Sequence, residues 1–385
     1  MTLEGNGWNS GSEIRVFAGI CMGSRSQRLK VALLRCRGEG WNLRVLHTDG
    51  MTFPSPPEDQ NELTRAAIHA IVVLAGQVDI PLPAIDGIGL ADLPGDMVRL
   101  GTLLAERTGA TVACRFPDRD IAVGGKGEPL TPIVDWLLFR SPKQTRLLVH
   151  LGRALRVALI PSGSTHEEMH CFDAAPGTDF LDELTLRLSD GKYAFDPSGH
   201  FAVQGRLSES LVNQWASHPF LLRSPPRFMD ERTFDRAFMD ASLSFARELG
   251  LSGKDVLCSA NHFLARALKE SAHRFLPSHR MISEIVTSGG GVRNGFLWKL
   301  IGDRMTEASI LRSDDIGVPS AVLGAAHAAL WAYLAMENLP GNVPALTGAS
   351  SPRVLGTIIP GSRASWDRWV CNVADRFEYE SRRAA

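Results

Sequence analysis

The sequence predicts an α/β protein of two domains built on one repeated plan, in which an antiparallel meander is followed by helices and further strands. Three observations predict it. The 385 residues exceed what one ordinary core holds and suit two domains of about 150–200 residues each. Apolar runs of strand length alternate with segments whose apolar residues recur at three and four, the signature of layered α/β folds. The cycle of meander and helices then occurs twice, starting near 16 and again near 146.

The first meander comprises 16–21, 31–34 and 43–47, broken by loops with Gly23, Gly38 and Gly40 and closed by Pro54, Pro56 and Pro57. From 58 to 77 the residues Leu63, Ala66, Ala67, Ala70, Ile71 and Leu74 trace one face of an amphipathic helix. A buried strand at 85–90, a helix at 97–107 and a strand at 111–114 complete the cycle. Gly124, Gly125 and Gly127, with Pro129 and Pro132, read as irregular chain. The second cycle has strands at 146–151, 155–160 and 170–173, then helices at 177–188, 208–215, 233–249 and 254–275. A strand at 284–287 runs into three consecutive glycines before a helix beginning near Asn294, and an Ala/Leu-rich helix is expected at 321–335. The repeated plan implies a cleft between the two halves.

Hydrophobic residues at 44% and charged residues at 22% match ordinary globular chains, which excludes disorder and fibrous architectures. Forty-one Lys and Arg against 42 Asp and Glu leave a charge of -1, so no global basic field points to nucleic acid or an anionic membrane. The first residues lack the basic start and apolar run of a signal peptide. No apolar stretch approaches the ~20 residues of a membrane span. Six scattered cysteines without a CxxC pair read as reduced thiols, and a cytoplasmic protein without disulfides is expected.

Four segments carry potential chemistry. His166-Glu167-Glu168-Met169-His170 matches the zinc-peptidase pattern HExxH, which needs a helix to place both imidazoles on one face. Pro161 to Thr165 and the strand-like 171–173 oppose a helix, so a hairpin turn is expected and no metal-ligating set is assigned. Ser288-Gly289-Gly290-Gly291-Val292-Arg293-Asn294 offers bare backbone and a helix start to a ligand, although a tight turn alone would also account for it. The loop 118–130, with Asp118, Asp120, Gly124, Gly125 and Gly127, can wrap a polar ligand or serve as a plain crossover. Asp173, ending a strand before Ala174-Ala175-Pro176-Gly177, is a stronger candidate for chemistry than Asp179 or Asp182, which complement a helix dipole.

Asp120 to Leu130, Phe172 to Gly177, Gly289 to Asn294, Gly341 to Ser350 and Val354-Leu355-Gly356 follow one another in an order and spacing that resembles the anhydro-N-acetylmuramic acid kinase family, from about 16 to 360. The resemblance implies a two-domain actin-like ATPase fold, ribonuclease H-like in each half, divided as 1–130 with a tail at about 355–385, and 131–354. It implies ATP and Mg2+ as cofactors and an enzyme that opens a 1,6-anhydro amino sugar with water and phosphorylates O6, in cell-wall recycling. An amino sugar and a nucleotide are the implied partners, with a homodimer as the macromolecular contact left open. By position, Asp173 matches the catalytic base. Gly23, Ser24, Gly152, Gly289, Gly290, Gly291 and Asn294 match nucleotide-binding positions, and Asp120, Gly124, Gly125 and Gly127 the substrate loop.

The departures concentrate in the phosphate loops. Gln27 and Arg28 stand where the family carries its metal-holding carboxylate and the glycine after it, and Arg25 lies beside them. The second loop reads His150 to Arg156, with Arg153 replacing a glycine and Arg156 an asparagine. Lys-Ser-Thr in a third segment becomes Arg227-Phe228-Met229. Such changes weaken metal binding and phosphate positioning, so a catalytically silent relative that binds a sugar, nucleotide or anion is the alternative. Arginines crowding a partly buried site require an anionic partner. Asp173 is the favoured partner because a tethered carboxylate has no association entropy to overcome, a phosphate-bearing ligand bound without magnesium is the other, and arginines turned outward to solvent would need neither.

Overall fold

The computed structural model describes residues 14–22, 28–37, 44–48, 52–53, 59–230, 232–277, 281–371 and 374. Gly23, Ser24, Arg25, Gln27, Gly38, Gly40, Pro54, Pro56 and Pro57 lie outside the described residues. The chain separates into one unit of 1–138 with 317–385 and a second of 139–316.

Along the chain the elements are β1 (Ile14–Met22), β2 (Leu29–Arg37), β3 (Arg44–Thr48), α1 (Gln60–Gly76), β4 (Gly87–Ala91), α2 (Met97–Thr108), β5 (Thr111–Cys114), α3 (Pro117–Ile121) and α4 (Thr131–Phe139). The second unit follows with β6 (Arg146–Leu151), β7 (Ala154–Ile160), β8 (His170–Pro176), α5 (Thr178–Leu188), α6 (Glu209–Ala216), α7 (Pro219–Leu222), α8 (Arg236–Glu248), α9 (Gly253–Phe275), β9 (Glu284–Ser288), α10 (Gly295–Arg304) and β10 (Ser309–Arg312). The chain then returns to the first unit through α11 (Leu323–Met336), α12 (Pro344–Thr347) and β11 (Thr357–Ile359).

The first sheet is ordered β11-β5-β4-β1-β2-β3, and the second β10-β9-β6-β7-β8. In each, three strands form an antiparallel meander and two more add in parallel to the first strand of that meander. This shared order is the ribonuclease H-like arrangement of actin-like proteins, and it confirms the α/β class expected from the two cycles. Caps mark the helix starts that polar residues predicted: the Asp59 side chain accepts from the Asn61 amide at 2.8 Å, and Ser252 and Asp255 form a capping box on α9.

Each face of the first sheet has its own apolar layer. Leu63, Ala67, Ile71 and Leu74 of α1 join Leu100 and Leu104 of α2 on one side. On the other lies α11, apolar all round and therefore buried. Its close approach depends on glycine: a Cβ on Gly19 would lie 1.8 Å from the Ala325 carbonyl oxygen, and one on Gly89 would lie 1.9 Å from that of Ala328. Since α11 and the α4 residues Ile133, Val134 and Leu137 share this layer, residues 131–138 and 317–354 sit with the first unit. The division drawn from the resemblance had placed them in the second.

Other differences are local. Residues 131–139 form α4 where Pro132 suggested irregular chain, because proline in a first turn removes no helical hydrogen bond. Strands β10 and β11, of four and three residues, were not expected, being too short to show a period.

Candidate functional site

Asp173 lies on β8 directly opposite Arg156 of β7, beside a register shift between Leu155 and Arg156. Cross-strand partners on one face are close enough to touch, and here they form an ion pair. The Arg156 Nε donates to Asp173 Oδ1 at 2.8 Å and Nη2 approaches Oδ2 at 3.4 Å. The Met229 amide donates to Oδ2 at 2.9 Å. The Asp173 side chain is 1% exposed and that of Arg156 24%. A buried carboxylate needs such donors, and the pair supplies both charge and hydrogen bonds. The expectation that Asp173 answers a neighbouring arginine therefore holds for Arg156. Arg153 instead turns outward, 62% exposed, with Nε 3.4 Å from Asp179.

Residues 227–229 strap the middle of β8, at Asp173 and Ala174. The Asp173 amide donates to the Arg227 carbonyl at 3.0 Å, and the Arg227 Nε donates back to the Asp173 carbonyl at 3.0 Å. Arg227 is 1% exposed and its guanidinium also donates to the carbonyls of Phe220, Leu221, Arg223 and Ala174 and to Ser271 Oγ. Burial pushes its pKa down to about 10, which leaves it charged at neutral pH. Phe228 places its ring under the Arg156 guanidinium, 5.2 Å from centroid to Cζ. Sequence reading marked this segment only as a departure from the family and missed its structural role.

Gly152 forms the turn between β6 and β7, and the start of α5 closes on it. The Thr178 amide donates to the Gly152 carbonyl at 2.8 Å and the Gly177 amide to that of Arg153 at 2.9 Å. Two amides at the α5 N-terminus are thus engaged by this chain's own backbone. The glycine turn lies against the same loop: Gly289 has φ of +86°, and a Cβ there would meet the Leu151 carbonyl oxygen at 2.7 Å. Only glycine suits both demands. A Cβ on Gly291 would meet that of Leu151 at 2.7 Å, while Gly290 faces open space. Asn294 caps α10, accepting from the Leu297 amide at 3.0 Å and donating to Asn261 Oδ1 at 3.0 Å. Gly152, Gly289, Gly290, Gly291 and Asn294 therefore surround one backbone turn, on the sheet that carries Asp173.

Asp120, expected in the substrate loop, belongs to the first unit and is fully buried in α3. Oδ1 accepts from Asn342 Nδ2 at 2.6 Å and Thr347 Oγ1 at 2.8 Å, and Oδ2 from the Gly127 amide at 2.9 Å. A Cβ on Gly125 would lie 2.0 Å from Oδ2. Gly124 and Gly127 take left-handed φ of +86° and +74°. The carboxylate thus shapes the loop from inside. Asp120→Ala should cost about 3 kcal/mol, since three buried donors lose their acceptor. Denaturant titration checks this, and a loss below about 1 kcal/mol would contradict it. Arg28 pairs with Thr52 in an isolated antiparallel bridge.

His166–Glu168 form one 3-10 turn between β7 and β8, with a Thr165–Glu168 capping box, and His170 belongs to β8. The hairpin reading of HExxH is correct. Burial holds the His166 pKa below its usual value. Among the described residues no three His, Cys, Asp or Glu side chains converge as metal ligands. His166→Ala with His170→Ala should move the melting temperature by no more than about 2 °C. One zinc per chain by elemental analysis, lost in that double variant, would overturn the reading.

Cys21, Cys114, Cys258 and Cys371 carry free thiols, and Cys21, Cys114, Cys171 and Cys258 are buried. Among the described residues no helix is long and apolar enough to cross a membrane.

The family model for anhydro-N-acetylmuramic acid kinase matches residues 95–361. A kinase of that description from Acaryochloris marina is 30% identical over 84% of this chain and 86% of its own. One from Caldanaerobacter subterraneus is 27% identical over 90% of this chain and 97% of its own. Among solved structures, a ROK-family glucokinase from Streptomyces griseus covers 83% of this chain and 99% of its own at 13% identity and a TM-score of 0.38, a likeness too slight to bear on chemistry.

Proposed function

The chain belongs to the anhydro-N-acetylmuramic acid kinase family, and from that premise we propose that it opens a 1,6-anhydro amino sugar with water and phosphorylates O6 from ATP. The observation that carries this reading is Asp173, a buried carboxylate in the middle of β8 that accepts from the Met229 amide, on the sheet that bears the glycine turn 289–291. Asp173 accepts the proton of the water whose oxygen bonds to C1, the bond from C1 to O6 breaks, and O6 receives the γ-phosphoryl group as ADP leaves. Gly290, open on its Cβ side, and the Asn294 helix start supply backbone for the nucleotide. The reading places the protein in the cytoplasm, where ATP is available.

Mg2+ does not fit the donor set at Asp173. A hard cation takes oxygen ligands, and the Arg156 guanidinium, paired with both Asp173 oxygens, already sets a positive charge where the cation would bind. Gln27, where the family carries its carboxylate, lies outside the described residues.

Incubation with ATP and 1,6-anhydro-N-acetylmuramic acid should give a product heavier by one water and one phosphoryl group in mass spectrometry. No product, with or without added Mg2+, would end the kinase reading. The guanidinium on Asp173 is the one observation favouring a silent relative, and binding of sugar or nucleotide without turnover in this assay would select it.

A further inference from the structure

We propose that Arg156 is a specificity-determining residue, which covers Asp173 until an anionic group of the ligand, a carboxylate or a phosphate, takes over its guanidinium. This deepens the reading of Asp173 as the base and rests on it. A base must meet water before it can accept a proton, yet the Asp173 side chain keeps only 1% of its surface. Something that covers it has to move. The backbone strap 227–229 is pinned from within by the buried guanidinium of Arg227. Arg156 is the more accessible cover, 24% exposed, with Phe228 beneath it.

The chemistry of that cover selects what removes it. A guanidinium keeps its charge at any physiological pH. A neutral ligand that drew Arg156 away would leave two partly buried charges without their partners. An anionic ligand gives the arginine a replacement carboxylate or phosphate and releases Asp173 in the same exchange. Phe228 lies against the guanidinium, 5.2 Å from Cζ, while Nε and Nη2 are the groups that hold Asp173 and that a bidentate anion would take over.

Two measurements test the exchange. The first couples an amine to carboxylates with a carbodiimide and follows Asp173 by peptide mass spectrometry. Arg156→Gln, and Phe228→Ala as a second variant that keeps both charges, should each speed Asp173 labelling by about tenfold or more. The second is calorimetric titration with N-acetylmuramic acid, N-acetylglucosamine and a non-hydrolysable ATP analogue without divalent metal. The wild-type protein should prefer the sugar acid to the neutral sugar by about tenfold or more, Arg156→Gln should lose that preference, and Arg156→Lys should keep most of it. If Arg156→Gln instead weakens the ATP analogue by that factor and spares the sugar preference, the exchanging anion is phosphate. Faster labelling in variants that never turn over substrate would leave the cover standing and remove the kinase reading. Unchanged labelling in both variants, or unchanged affinity for both sugar acid and nucleotide in Arg156→Gln, would overturn the proposal.

Discussion

Arg227→Met is expected to lower the unfolding free energy by about 4 kcal/mol, the largest single-residue effect on stability foreseen in the second unit. The guanidinium satisfies five carbonyls, those of Asp173, Ala174, Phe220, Leu221 and Arg223, together with Ser271 Oγ. Its positive charge lies among the rings of Phe172, Phe220 and Phe275, the last 4.6 Å from Cζ. Methionine fills much of the volume but leaves buried acceptors without donors, at about 1–3 kcal/mol for a group that finds no other partner. Lysine offers three donors and should cost about half as much. Chemical denaturation of both variants gives the comparison. Equal stability of wild type and Arg227→Met would mean that water reaches these carbonyls and that the strap is not anchored by this side chain.

The burial that lowers the Arg227 pKa to about 10 also sets a pH dependence. Below pH 10 the guanidinium is charged in both folded and unfolded chains, so the burial cost is constant and stability does not vary through this group. Above pH 10 the folded state releases the proton while the unfolded chain still holds it, and this group's contribution turns more favourable as pH rises. Alkaline loss of stability must therefore come from other groups.

Asp173→Asn is expected to reduce turnover of the anhydro sugar by about a thousandfold, within the usual worth of a general base. The amide keeps an acceptor for the Met229 N–H but cannot take the proton of water. Arg156 loses its carboxylate, yet its partial exposure lets solvent take over part of that role, so stability should fall by only about 1–2 kcal/mol. Single-turnover kinetics beside thermal melting separates the two effects. Turnover within about tenfold of wild type would show that another group accepts the proton.

Much of the fold was legible because secondary structure leaves short-range patterns. The three-and-four spacing from Leu63 to Leu74 becomes the buried face of α1, and the runs at 146–151 and 155–160 become β6 and β7 almost to the residue. Ala/Leu richness at 321–335 announces a buried helix, but not the sheet it covers. That assignment needed Gly19 and Gly89, which lie hundreds of positions earlier and look unremarkable in isolation. Of the site, the glycine turn was visible as a local break in pattern; Asp173 read as the end of a strand, whereas β8 continues through Ala174 and Ala175 to Pro176.

The sequence by itself determined the α/β class, the repeated meander, the family and the candidates Asp173 and Gly289 to Asn294, since each depends on residue type and spacing along one stretch of chain. Only the tertiary structure decided which side chains meet. The register shift beside Leu155 sets Arg156 against Asp173 while Arg153 points outward to Asp179. Asp120, which read as a ligand group, turns inward to Asn342 and Thr347. Arg227, which read as an eroded motif, proves to anchor β8 at Asp173 and Ala174. The physical reason is that a charged side chain takes its place from whichever partner offsets its desolvation. That partner is brought near by strand register and packing across the domain, which periodicity along the chain does not encode.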